Sequence, residues 1–95
     1  MASGTIKRVK TPTLAWTNGS QDLSTSSNLA ANWDGHIEVY GGNNGTTVVI
    51  SGQTYSVAAN SYARFPVRKG ETMRYTGGPY SWATLYYRTL ALSLV

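Results

Sequence analysis

The sequence predicts an all-β fold: an antiparallel β-sandwich of jelly-roll type with about eight strands. Three observations predict it. No window keeps apolar residues at i, i+3, i+4 and i+7 among good helix formers, so the helical period is missing. The chain is instead rich in Thr, Tyr, Val and Gly, residues suited to pleated strands and tight turns. Turn signals recur at roughly 8–12-residue spacing, the rhythm of sandwiches and barrels.

Each element has its own local reason. Thr5 to Lys10 reads as an outer or edge strand, and Pro12 interrupts it because Pro cannot donate to a ladder. Thr13 to Thr17 follows, with Leu14 and Trp16 on one face. Asn18-Gly19, Asp34-Gly35 and Asn44-Gly45 are turn dipeptides, since Asn, Asp and Gly tolerate positive φ. The polar stretch from Asn18 to Asn32 therefore predicts a long loop, with a short strand around Leu23 and a short helix over Ser27 to Asn32.

His36 to Tyr40 alternates, Ile37 and Val39 on one side, His36, Glu38 and Tyr40 on the other. Thr46 to Ile50 returns after the Gly41–Gly45 turn, and Gln53 to Val57 follows Ser51-Gly52. Tyr62 to Val67 carries Pro66, the mark of a bulge or an edge. Glu71 to Tyr75 pairs across Arg68-Lys69-Gly70. Gly77-Gly78-Pro79 leads to Trp82 to Arg88, and Leu90 to Val95 alternates as a half-buried strand.

The 95 residues predict a single domain over 1–95, with residues 1–4 as a flexible lead-in. There is no Cys, hence no disulfide, thiolate metal site or cysteine nucleophile. One His cannot build a multi-histidine cage, and no Gly-x-Ser-x-Gly, Walker loop or dinucleotide fingerprint occurs. The reading is of a non-enzyme without a cofactor. The basic N-terminus is followed by no apolar run, so neither a signal peptide nor membrane insertion is expected.

Eight Lys and Arg against four Asp and Glu leave a net charge of +4. The cations fall at Lys7, Arg8 and Lys10, at Arg64, Arg68 and Lys69, and at Arg74 and Arg88. Such cations attract phosphate, acidic glycans or an acidic partner surface, but these are scattered, which better suits solubility and edge protection. A small nucleic-acid-binding barrel would need a denser basic groove and a basic-Gly-aromatic run, so nucleic acid is set aside as a partner.

Asp34, His36 and Glu38 alternate and are candidate metal or acid–base residues, with a solvated strand face as the plainer explanation. The richest feature is aromatic. Tyr75, Tyr80, Trp82, Tyr86 and Tyr87 crowd the last third beside Arg74 and Arg88. Trp82 and Tyr86 share one strand face and Tyr87 takes the other, so aromatics stand outside the core on at least one side. Trp33, Tyr75, Tyr80, Trp82, Tyr86, Arg74 and Arg88 are the binding or interface candidates, because Tyr, Trp and Arg dominate interface hot spots. A carbohydrate-binding module with Trp33, Tyr80 and Trp82 as platforms is the alternative, since aromatic faces also stack on sugar rings.

Residues 52–72 begin Gly-Gln-Thr-Tyr-Ser-Val-Ala-Ala-Asn-Ser-Tyr and end Val-Arg-Lys-Gly-Glu-Thr. The run resembles the G-x-x-Y-x-V-P-A-x-S/G-Y … V-x-x-G-D-T phrase in small β-domains of tailed-phage virion proteins: tail-fibre tips, receptor-binding knobs and head-decoration proteins. Ala58 stands where that phrase often has Pro. The resemblance implies a structural protein of the virion surface, assembled in the host cytoplasm. It also implies a homo-oligomer, commonly a trimer, that meets other virion proteins or a host-surface glycan.

Overall fold

A computed structural model describes residues 12–94 of the chain. Within it run β1 (Pro12–Asp22), β2 (Leu29–Ala30), β3 (Gly35–Tyr40), β4 (Thr46–Ile50), β5 (Gln53–Val57), β6 (Tyr62–Val67), β7 (Thr72–Tyr75) and β8 (Trp82–Leu94). One sheet has the order β1-β8-β3-β6 and the other β2-β7-β4-β5, with antiparallel pairing throughout. Every connection except the β4–β5 hairpin crosses from one sheet to the other. That order is the jelly roll, two Greek keys wrapped into two facing sheets.

Period-2 alternation decides which face meets the other sheet. Ile37 and Val39 of β3, Val48 of β4, Met73 of β7 and Leu85 of β8 are wholly buried. Ile50, Val57, Val67, Ala83, Leu23 and Ala31 complete the core, and Phe65, Tyr75 and Tyr87 pack against its margin. The turns use the expected chemistry. Ser51 (φ 49°) and Gly52 (φ 82°) both take positive φ in the tight β4–β5 hairpin.

Four expectations are corrected. Asn18-Gly19 is no turn, because both residues lie inside β1, facing Arg88 and Tyr87 across the ladder. Gly is needed at 19 for space, since a β-carbon there would run into the Tyr87 ring. No helix forms over Ser27–Asn32. The segment bends into the two-residue β2, and the Gln21 amide clamps it by donating to Ala30 O (3.1 Å) and accepting from Asn32 N (2.9 Å). Leu23 is a buried residue just after β1 and belongs to no strand of its own. The last two expected strands are one, β8, because its pairing with β1 runs unbroken from Asp22↔Thr84 to Pro12↔Leu94. The expected Thr5–Lys10 strand and the lead-in of residues 1–4 lie outside the described residues.

The long β1–β8 pair has a structural consequence. β3 leaves β8 at Gly35↔Tyr87, whereas β1 stays paired for the steps Asn18↔Arg88 through Pro12↔Leu94. A two-stranded ribbon about 20 Å long, at roughly 3.4 Å per residue, thus projects past the sandwich.

Candidate functional site

The outer face of the β1-β8-β3-β6 sheet carries most of the unusual side chains, arranged in rows because paired residues share a face. The first row, farthest from the ribbon, is aromatic. Trp82, Tyr40 and Tyr62 stand side by side on β8, β3 and β6. Ring centroids lie 4.7 Å apart for Tyr40–Tyr62, 6.4 Å for Tyr40–Trp82 and 6.0 Å for Tyr62–Trp82. The Tyr40 hydroxyl donates to Asn60 Oδ1 at 3.4 Å. Tyr62 is 71% exposed, and Tyr80, in the adjoining loop at φ 64°, is 79% exposed.

The second row is ionic. Glu38 Oε1 lies 3.0 Å from Arg64 Nε and 3.5 Å from His36 Nε2. On the other flank the Thr84 hydroxyl donates to Asp22 Oδ1 at 3.0 Å.

The third and fourth rows enclose a notch. The rings of His36 and Tyr86 lie 5.8 Å apart at 32°. The next row toward the ribbon has Asn18 beside Arg88, and β3 has already ended there, so one flank of Arg88 is open. The result is a concavity of about 650 Å³, walled by Asn18, His36, Glu38, Tyr86 and Arg88. Gly19 and Gly35 form its floor with Tyr87 between them. Arg88 is held by cation–π contact, its guanidinium carbon 4.9 Å from the Trp16 ring centroid.

Beyond Arg88 the face becomes apolar. Trp16 pairs with Leu90, and Leu14 with Leu92. Leu14 is 63%, Trp16 59% and Leu90 50% exposed. Of the half-buried strand expected from Leu90 to Val95, Leu90 is corrected to half exposed, because among the described residues the second sheet does not cover the ribbon there. The burial of the later positions lies outside what is described.

The remaining candidates are dispersed. Trp33 is not with Trp82: it packs 6.0 Å from Tyr87 and under Lys69, 5.4 Å away, at the ribbon end of the sandwich. Tyr75 is half-buried against the core. Arg74 sits on the second sheet opposite Val49, its Nε shielded and without a hydrogen bond. Asp34 accepts from Lys69 N at 2.7 Å and so ties the β2–β3 connection to the β6–β7 turn. His36 and Glu38 do approach one another, but no three His, Asp or Glu side chains converge among the described residues. No helix among them is long and apolar enough to cross a membrane.

One carboxyl group has a displaced pKa. Glu71 accepts from Arg68 N and from the Ser51 hydroxyl, both at 2.7 Å, and these bonds hold its pKa below the ordinary value. Glu71 therefore staples the β6–β7 turn to the β4–β5 hairpin. It also lines a second recess, of about 410 Å³, beside Tyr55 and Phe65.

Tyr40, Tyr62, Asn18 and Trp16 complete these clusters, yet sequence reasoning did not single them out as site residues. Their contribution depends on which residue each strand brings opposite, and local alternation carries no register. Leu14 and Trp16 sharing a face was the one available signal. Comparison of the chain with protein-family models, with curated proteins and with solved structures finds no match.

Proposed function

We propose that this protein is a structural assembly unit of a virus surface, without catalytic activity, whose copies associate through the projecting ribbon. One observation carries the reading: the exposed apolar stripe of Leu14, Trp16 and Leu90 on a two-stranded element that, among the described residues, neither sheet covers. An isolated two-stranded ribbon is marginal in water, and a contiguous apolar stripe on it loses free energy to hydration. A second copy presents the same stripe, and closed symmetric association buries both at once. The jelly roll is a frequent architecture of capsid and lectin domains, which is compatible with this role by analogy of fold. The virion setting and the trimer come from the resemblance of residues 52–72.

In that role the protein is assembled in the host cytoplasm and carried on the particle, where its loops meet other virion proteins or a host glycan. The test is molar mass by light scattering at micromolar concentration. The wild type is expected as a trimer, and Trp16→Glu as a folded monomer with an unchanged circular dichroism spectrum. A wild type that stays monomeric sinks the proposal.

A further inference from the structure

The geometry points to a binding site for a carboxylate-bearing pyranose, an acidic sugar, in the notch between Tyr86 and Arg88. The volume of about 650 Å³ lies within the usual span of small-ligand sites, roughly 300–1,000 Å³. Its chemistry converges on one ligand class. Arg88 makes no ion pair among the described residues. The carboxylates on the same face belong to Asp22 and Glu38, two rows or more away, roughly 13 Å or more along the backbone, with Glu38 at the opposite wall of the notch. Glu38 is already engaged by Arg64 and His36. The uncompensated charge in the notch is therefore positive.

The guanidinium is also pre-positioned. Its stack on Trp16 limits its freedom, so less entropy is lost when it grips a carboxylate through two parallel N–H donors. Asn18 stands beside it and adds an amide donor. Across the notch Tyr86 offers a ring to the C–H face of a sugar, and His36 a nitrogen to its hydroxyls. The end of β3 at Gly35 leaves the entrance open on the Arg88 side. A charged group for the acid, a flat ring for the pyranose and amide and imidazole groups for hydroxyls describe an acidic saccharide better than a bare anion. All these groups belong to one chain, and the notch borders the Trp16 stripe proposed to meet another copy.

The experiment is amide chemical-shift titration of the intact protein with 3′-sialyllactose and trigalacturonate, with lactose and inorganic phosphate as controls. At least one acidic sugar is expected to shift the amides of Asn18, Tyr86 and Arg88 saturably, with lactose and phosphate at least tenfold weaker. Arg88→Gln should weaken the acidic sugar at least tenfold. Asn18→Asp, which supplies Arg88 with an internal carboxylate, should do the same. Molar mass is read for each variant beside binding: loss of acidic-sugar binding at the wild-type molar mass is the expected result, and it separates failure here from failure of assembly. Lactose or phosphate binding as well as the acidic sugars, undiminished binding by Arg88→Gln, or no response to either acidic sugar each overturns the assignment.

Discussion

The α-carbon of Gly35 lies against the main-chain carbonyl of Tyr86, so closely that a β-carbon at position 35 would collide with that oxygen. The contact lets β3 join β8 where the notch floor begins. A carbonyl within a ladder cannot step aside as a side chain can. Gly35→Ala is therefore expected to cost about 1–3 kcal/mol, the usual range for overpacking. Gly52→Ala is the control: it has open space around it but positive φ (82°), and its cost should be about 1–2 kcal/mol. Urea midpoints with unchanged m-values check both.

The aromatic row gives a second expectation. Trp82 is half-buried on the outer face, packed tilted against Tyr40 and edge-on against Tyr62. A core Trp removed to Ala costs roughly 3–5 kcal/mol. Here Trp82→Ala should cost about 1–2 kcal/mol, because the lost terms are aromatic pairs of roughly 0.5–1.5 kcal/mol each. A double-mutant cycle with Tyr62→Ala should return a positive coupling; additive losses would mean that the rings do not support one another.

Two leucines on β8 test the division between sandwich and ribbon. Leu85 is fully buried, and Leu85→Ala should cost about 2–5 kcal/mol by denaturation. Leu90 is half exposed, and Leu90→Ala should change monomer stability by less than about 1 kcal/mol. Its effect should be on molar mass, since the stripe it belongs to is the one proposed to meet another copy. Equal stability losses at the two positions would contradict the division.

Glu71 sets an acid limb to stability. Its folded pKa is held below the ordinary carboxyl value by hydrogen bonds from Arg68 N and Ser51, so the folded state favours the carboxylate more than the unfolded chain does. That contribution is complete above the unfolded pKa and is lost as pH falls through the lowered folded value. Glu71→Gln should thus lower stability at neutral pH and flatten the acid limb. Urea midpoints across about pH 2–6 read both effects.

Local pattern and tertiary pairing contributed separately. Thr46–Ile50, Gln53–Val57 and Tyr62–Val67 were legible to the residue, because each is a short alternating run between strong turn residues. Asn18-Gly19 misled, since the same dipeptide that suits a hairpin also suits a strand crossed by a large ring, here that of Tyr87. The site was less legible than the fold. Tyr86 and Arg88 stood out as an aromatic and a cation two residues apart, but Asn18 and His36 come from other strands and share no local signal with them.

Composition and alternation by themselves determined an all-β sandwich, the shared face of Ile37 and Val39 on β3, and the division of Trp82 and Tyr86 from Tyr87 across the two faces of β8. These follow from the two-residue period, which any short window contains. Only the tertiary structure decided that β1 and β8 outrun β3, and so exposed Leu14, Trp16 and Leu90 and opened the notch beside Arg88. Strand pairing is a relation between segments as much as 82 residues apart, Pro12 and Leu94 at the extreme. Which residue faces which depends on the balance of packing over the whole sheet, and no local window holds that information.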